Sequence, residues 1–447
     1  MGLAESRSGI GGLLKRLFLR RDIRASAALF ALLLAVYGGV YALWLSGHEA
    51  AYLALTRWWG IDSWNRPFLD LQGVLSWAEC HRRGIDVVRT NPCDPLGRKL
   101  NYGPVLLSLP FSLRDLDVLG VLQGMIFFVA LSLVLKPRSW LGWTLSVSAG
   151  LSTIVLFALE RGNIDLIEFA LVALGCWFAG RGVRGRLSAY AVFFLGGVVK
   201  FYPFALILTV LRERLRLALV LGIGGVMLIG LTALAYRHAL AGIVATLPDY
   251  GYDGDMFGAG FLGYGLADEL DFPLRFALAI TICVAVVFAA LAIWLALQWR
   301  SRAPDFETSD GRMMLVGSIV MLGCFVLQAN TAYRGIFLIF MLPALIGLAR
   351  SFEAPILRRG FSLALVSLVL CLWGPCLRHA LDIGLGAITI ASDDRLSALN
   401  FASLALFGTL QLAWWWLMTV ACAAILVFLA GTPLSKALVA KVRSGAL

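Results

Sequence analysis

Charge is what this chain has least of. Asp, Glu, Lys and Arg make up 15% of its 447 residues, while hydrophobic side chains make up 60%. A soluble domain carries about a quarter charged residues and about half apolar ones, so a water-soluble globule is excluded. Polar stretches long enough to build a soluble domain are missing as well. So is a glycine-rich phosphate loop, which leaves ATP or a nucleotide sugar without a cytoplasmic docking place. The histidines His48, His81, His238 and His379 show no ligand spacing, which argues against a zinc site. Charge inside the apolar runs is nearly confined to Glu168 and Lys200, and no internal repeat is visible. Both scarcities count against a secondary transporter, which needs ionisable groups deep in its spans and paired repeats.

What the chain does have is apolar length. Runs of about 17–25 residues recur, each enough to cross the hydrocarbon core. They predict an all-α polytopic membrane protein of about ten to twelve helices, a single membrane domain over 1-447. The expected spans are 25–45, 115–135, 140–158, 166–180, 217–236, 275–297, 313–329, 335–349, 361–377 and 407–430. Lys15, Arg16, Arg20, Arg21 and Arg24 precede the first run, and 45–48 makes a poor cleavage site, so the first helix is read as uncleaved. The net charge of +11 sits in short clusters between runs, as topology signals do, and no nucleic-acid partner is inferred.

The region 187–211 is set by parity. Arg181, Arg184 and Arg186 precede it, and Arg212, Arg214 and Arg216 follow it. Under the positive-inside rule both flanks are cytoplasmic. A single crossing would also push the later basic clusters outside: Arg300/Arg302/Arg312, Arg350/Arg358/Arg359 and Lys436/Lys441/Arg443. A hairpin of two short helices, turning near Lys200-Phe201-Tyr202-Pro203, keeps them inside; Gly196-Gly197 and Pro203 suit such a break. The termini are then cytoplasmic, and the long loops 46–114, 237–274 and 378–406 lie on the periplasmic or extracellular side of an inner membrane.

In the first of these loops, Phe68, Leu71, Leu75 and Ala78 have helical spacing after Pro67 and predict an amphipathic helix on the bilayer surface. Asp70 falls in its first turn, where the helix dipole favours a carboxylate whether or not it has chemistry to do. Asp86 and Asp94 are reserve acids in a turn-rich stretch. Cys80 and Cys93 share polar surroundings on the oxidising side, where a disulfide is expected and two free thiols are the alternative. The other six cysteines lie in or beside apolar spans as small filler. In the second loop Asp249, Asp253 and Asp255 lack the terminal glutamate of a Ca²⁺ loop, so no metal and no cofactor is expected. Tyr250, Tyr252, Phe257, Phe261 and Tyr264 there are read either as sugar-stacking rings or as an aromatic belt.

Four stretches carry a family likeness: Pro67-Phe68-Leu69-Asp70-Leu71, Glu160-Arg161-Gly162-Asn163-Ile164-Asp165, Gly197-Val198-Val199-Lys200-Phe201-Tyr202-Pro203, and Asn330-Thr331-Ala332-Tyr333-Arg334-Gly335-Ile336-Phe337. In this order the chain resembles the GT-C membrane glycosyltransferases, most of all glycosyltransferase family 87, the polyprenol-phosphate-mannose-dependent mannosyltransferases and relatives. It departs from them at Tyr102-Gly103-Pro104, where members often have Tyr-Pro. The resemblance implies transfer of a sugar from a polyprenyl-phosphate donor to an acceptor hydroxyl on a lipid or glycan, usually with inversion, beside membrane lipids. It implies Asp70 as general base. Lys200, Arg334 and Arg161 are the cations for the donor phosphate; the competing readings are snorkelling for Lys200 and structural salt bridges for the arginines. Asn163, Asp165, Asn101, Tyr102 and Tyr333 are candidate substrate contacts, although Asn163 and Asp165 also suit a helix cap. A transporter or flippase for a lipid-linked saccharide is the alternative function.

Overall fold

The computed structural model describes residues 21–443 apart from 62, 64–65, 246–255, 270–271, 300–304, 328–329 and 387–392. Asp249, Tyr250, Tyr252, Asp253 and Asp255 lie outside the described residues, as do Lys15, Arg16, Arg20, Arg300 and Arg302.

The chain is an all-α membrane bundle. Its α-helices run, in order, α1 (Arg21–Leu45), α2 (Glu49–Trp58), α3 (Leu69–Arg82), α4 (Leu116–Leu135), α5 (Trp140–Gly150), α6 (Thr153–Arg161), α7 (Asp165–Ala179), α8 (Gly182–Lys200), α9 (Leu215–Ala235), α10 (Arg237–Ala245), α11 (Phe261–Glu269), α12 (Leu274–Trp299), α13 (Ser309–Leu327), α14 (Leu342–Ser351), α15 (Pro355–Gly386), α16 (Asp393–Gly431) and α17 (Pro433–Arg443). Nine helical stretches among the described residues are long and apolar enough to cross a membrane. The sheet content described is one antiparallel pair, β1 (Met256–Phe257) with β2 (Asn330–Thr331), in register Met256↔Thr331 and Phe257↔Asn330.

The core gathers around the 3-10 segment Ala332–Met341, where Ile336, Phe337, Leu338, Ile339, Phe340 and Met341 are all fully buried. Side chains of α6, α7, α13, α15 and α16 close over it. On the outside, α9 and α12 expose Val220, Ile223, Val226, Ile282, Val286 and Leu297, an apolar surface suited to lipid.

Several expected elements take a different shape. The span expected at 140–158 is two helices with a break at Leu151 and Ser152, whose carbonyl and hydroxyl groups are taken up by Trp59 and by Ala149. The loop expected at 378–406 is largely helical, because α15 extends to Gly386 and α16 begins at Asp393. The helix expected on the bilayer surface is instead enclosed by protein. Ten of the fourteen residues of α3 are buried. Phe68, Leu71 and Leu75 pack with Leu116 and Leu119 on one side. Val74, Trp77 and Cys80 pack with Val87, Leu100 and Tyr102 on the other. Apolar residues thus cover more of α3 than the single stripe that a surface helix needs.

At 187–211 the chain reverses. α8 ends at Lys200, Phe201 takes a left-handed φ of 57°, and a 3-10 segment Tyr202–Arg212 runs back beside α8. At the far end Arg186 and Tyr190 of α8 both bond Glu213, just past that segment, the tyrosine hydroxyl at 2.8 Å. Gly197 allows the tight return, since a Cβ there would stand 2.2 Å from the Phe204 ring.

The two ends of the bundle differ. One end is tied by ion pairs among basic loops: Arg138–Asp310 at 2.7 Å, Arg186–Glu213 and Arg212–Glu307. At the other end meet the first-loop helix α3, the α6–α7 junction, the 200–203 turn and the start of the 332–341 segment.

Candidate functional site

Each of the four family-like stretches places one reversal or helix end at this second end, so their polar side chains converge. Asn163 is the hub. It sits between α6 and α7, fully buried, with its side-chain oxygen accepting from the backbone N–H of Asp165 at 2.9 Å and from Lys200 Nζ at 2.8 Å. Its amide nitrogen donates to Asp70 Oδ2 at 2.6 Å and to the Tyr102 hydroxyl at 3.2 Å. The orientation of this amide is forced. A lysine ammonium has donors only, so Asn163 must turn its oxygen to Lys200 and its NH₂ to Asp70.

Lys200 is almost wholly enclosed, with 2% of its side chain exposed. Asp165 Oδ1 lies 2.7 Å from its ammonium, and the Tyr102 ring lies 4.3 Å away, with that of Tyr333 at 5.7 Å. A lone ammonium in a bundle is costly, and here a fully buried carboxylate and an aromatic face offset that cost. Snorkelling to headgroups is therefore not what holds Lys200. The Tyr202 hydroxyl donates to the same Asp165 oxygen at 2.7 Å, and Arg334 Nε faces the other oxygen at 3.8 Å without a hydrogen bond. A carboxylate so enclosed has no face open to a sugar, so Asp165 serves to anchor the cations. Arg334, with 27% of its side chain exposed, also bonds Asn330 and passes 5.8 Å from the Tyr202 ring.

Asp70 stands apart from these buried groups because 19% of its side chain is open. It is the second residue of α3, whose start is fixed from two directions. Phe68, at φ 65°, donates its N–H to the Glu160 carbonyl at 2.6 Å. Arg98 donates to the Leu69 carbonyl at 2.8 Å and grips Asp94 with Nε and Nη2, both at 2.8 Å. Its other terminal nitrogen lies 3.6 Å from Asp70 Oδ1. Burial alone would raise the Asp94 carboxyl, but the hydrogen bonds and charge of Arg98 outweigh it and hold Asp94 below its ordinary value. Burial pushes the Tyr102 phenol well above its usual range, so it remains a neutral partner for Asn163. Two bulky residues with left-handed backbone, Phe68 and Phe201, flank Asp70 and Lys200. Strain of this kind costs roughly 1–3 kcal/mol each and gathers at functional sites.

Of the candidate residues, Asp70, Tyr102, Asn163, Asp165, Lys200, Tyr333 and Arg334 come together. Arg161 lies 3.5 Å from Glu160 and over the Phe157 ring at 5.3 Å, the structural ion pair that was its competing reading. Asn101 is exposed, and no described contact ties it to the cluster. Asp86 is exposed and closes a turn with Val88. Phe257 and Phe261 are buried against Trp414 and Phe407, as packing rings. Arg98 was not singled out by the sequence; its signal is the acid–base pair Asp94/Arg98 inside a loop that otherwise holds turn formers. Gly103 brings Tyr102 into place, because its N–H reaches the Val199 carbonyl at 2.8 Å and a Cβ there would collide with Val198. The departure at Tyr102-Gly103-Pro104 thus coincides with the contact between the first loop and the 200–203 turn.

Cys80 and Cys93 are disulfide-bonded, with their Cα atoms 5.8 Å apart. The bond joins the end of α3 to the loop that carries Asp94 and Arg98. Among the described residues, no group of three or more His, Cys, Asp or Glu side chains is gathered as a metal site requires. No protein-family model, no curated protein and no solved structure matches this chain.

Proposed function

We propose that this protein is a membrane glycosyltransferase that moves a sugar from a polyprenyl-phosphate donor to an acceptor hydroxyl on a lipid or envelope glycan. The observation that carries the reading is the Asp70–Asn163–Lys200–Asp165–Arg334 chain: an accessible carboxylate wired to two cations at one end of an apolar bundle. The transfer needs a base for the acceptor proton and positive charge for the departing phosphate, beside the bilayer that holds the donor's tail.

The roles divide as follows. Asp70 Oδ2 is occupied by Asn163, so Oδ1 takes the proton from the acceptor hydroxyl. The hydroxyl oxygen attacks the anomeric carbon, the bond from that carbon to the phosphate oxygen breaks, and polyprenyl phosphate leaves. A single displacement inverts the anomeric centre. Arg334, the more exposed of the two cations, meets the phosphate as its charge grows. Lys200 fixes Asn163 and lends its charge from behind. The basic clusters at the opposite end support a periplasmic or extracellular site.

The test is a deletion strain complemented in trans. Wild type restores the envelope glycan that mass spectrometry finds missing. Asp70→Asn, inserted at equal abundance, loses about 10²–10⁴-fold in transfer rate. Full restoration by Asp70→Asn removes the assignment. A flippase for lipid-linked saccharide is the second reading, favoured by Glu168, fully buried in α7 with neither carboxylate oxygen hydrogen-bonded. In that case Glu168→Gln, and not Asp70→Asn, abolishes complementation.

A further inference from the structure

A cavity opens beside the cluster. It has a volume of about 330 Å³ and lies between α15, α16 and the β1–β2 pair. Ala332 is in its wall, and the next two residues, Tyr333 and Arg334, face Lys200 and Asp165. Gln411 of α16 lines it, is 4% exposed, and has no hydrogen-bond partner for its side-chain oxygen. A buried amide oxygen left unpaired is costly, so a hydrogen-bond donor belongs in this space. Arg378 and the exposed Asp382, one turn apart on α15, also line it, as do the rings of Phe407, about one turn before Gln411 on α16, and Trp414, about one turn after it.

The lining chooses among ligands. An anion would meet the Asp382 carboxylate. A hydrocarbon chain would leave Gln411 unpaired. A neutral polyol suits every part: its hydroxyls donate to Gln411 and Asp382, its oxygens accept from Arg378, and its C–H faces lie on the aromatic rings.

We infer that this cavity binds a neutral saccharide unit, and that it is the acceptor subsite of the transferase proposed above. The acceptor role rests on that reading; the saccharide binding does not.

The test is saturation-transfer NMR on the full chain in lipid nanodiscs, with the methyl glycosides of the common neutral hexoses and pentoses as probes. Two variants alter the cavity. Gln411→Leu removes the amide, and Gly374→Phe fills the space from a position where a Cβ meets only the Leu410 side chain, at 3.4 Å. At least one glycoside is expected to be saturated by wild type and equally by Asp70→Asn. Both cavity variants should weaken it about tenfold or more, while binding of undecaprenyl phosphate stays unchanged. No saturation with wild type, or undiminished saturation in both cavity variants, overturns the inference. Saccharide binding together with full complementation by Asp70→Asn would remove the general base and leave the cavity standing. Absent saccharide binding with an inactive Asp70→Asn would do the reverse.

Discussion

At the residue scale, the site turns on one amide. Asn163 reads the charge of Lys200 through its oxygen and transmits an orientation to Asp70 through its nitrogen. The expected consequence is that Lys200 and Asn163 act as positioning residues for Asp70. Lys200→Met keeps most of the bulk but frees the amide to turn over, and it takes from Asp165 the nearer of its two cations, leaving Arg334 at 3.8 Å. Removing one partner of a buried pair destabilises by about 3–5 kcal/mol, so the folded fraction must be measured beside the rate. Asn163→Leu keeps the Lys200–Asp165 pair but removes an acceptor from Lys200 and from the Asp165 N–H, so its folded fraction is measured too. It should lower transfer by roughly 10- to 150-fold, the worth of a hydrogen bond to a charged group. The split between kinetic constants is the check: loss of the donor that orients Asp70 lowers kcat and leaves donor binding unchanged, whereas a merely structural effect lowers the folded fraction and donor binding together. The sequence made Asp70, Lys200 and Arg334 visible because charge is rare in apolar surroundings. It could not show Arg98, whose role comes from a contact with the Leu69 carbonyl set by tertiary packing.

At the element scale, α3 is held by what surrounds it. Its own turn carries Asp70, its far end carries Cys80, and the loop bonded to Cys80 returns Arg98 to the helix start. Closing a loop of about fourteen residues is worth on the order of 3 kcal/mol in the chain-entropy model. Cys80→Ser is expected to destabilise the loop and to slow transfer, and reductant should act on wild type but not on the variant; proteolysis between residues 83 and 97 reads the first effect. Acid acts on the same loop. The Asp94 carboxyl is held below its ordinary value, so its contribution is fully present above the ordinary carboxylate range and is lost as pH falls through the depressed value. Asp94→Asn should remove that part of the acid dependence. The helix itself was legible from its spacing, and Asp70 in its first turn with it. Its setting was not: Val74, Trp77 and Cys80, on faces other than the Phe68–Leu71–Leu75 stripe, are buried as well, and spacing along one stripe does not reveal that. The 378–406 region differs for another reason: polar residues there lower the hydropathy, while α15 still runs on to Gly386 and α16 already starts at Asp393.

At the scale of the whole molecule, two kinds of charge sort to two ends. α8 runs from Arg186, paired with Glu213 at one end, to Lys200, paired with Asp165 at the other. The fourteen α-helical steps from Arg186 to Lys200 span about 21 Å, most of the depth of the hydrocarbon core. The return segment Tyr202–Arg212 covers that depth in eleven residues, which 3-10 geometry helps because its rise is about 2.0 Å per residue. With this return counted, the basic residues Arg184 and Arg186 before Lys200 and Arg212, Arg214 and Arg216 after it fall at one end of the bundle, as the positive-inside reading expects. Hydropathy and the positive-inside rule carried this much of the fold; the 3-10 form of two core segments lay beyond them, because periodicity does not distinguish a short 3-10 run from a short helix. Sidedness is tested with single cysteines at exposed positions away from the site. Arg114→Cys, at the cluster end, should react with a membrane-impermeant maleimide in intact cells above the background of the unmodified chain. Arg184→Cys, at the basic end, should react only after permeabilisation. The reverse pattern would put Asp70 on the cytoplasmic face, where the basic loops would then contradict the positive-inside rule and the polyprenyl-phosphate donor would have to be presented from inside.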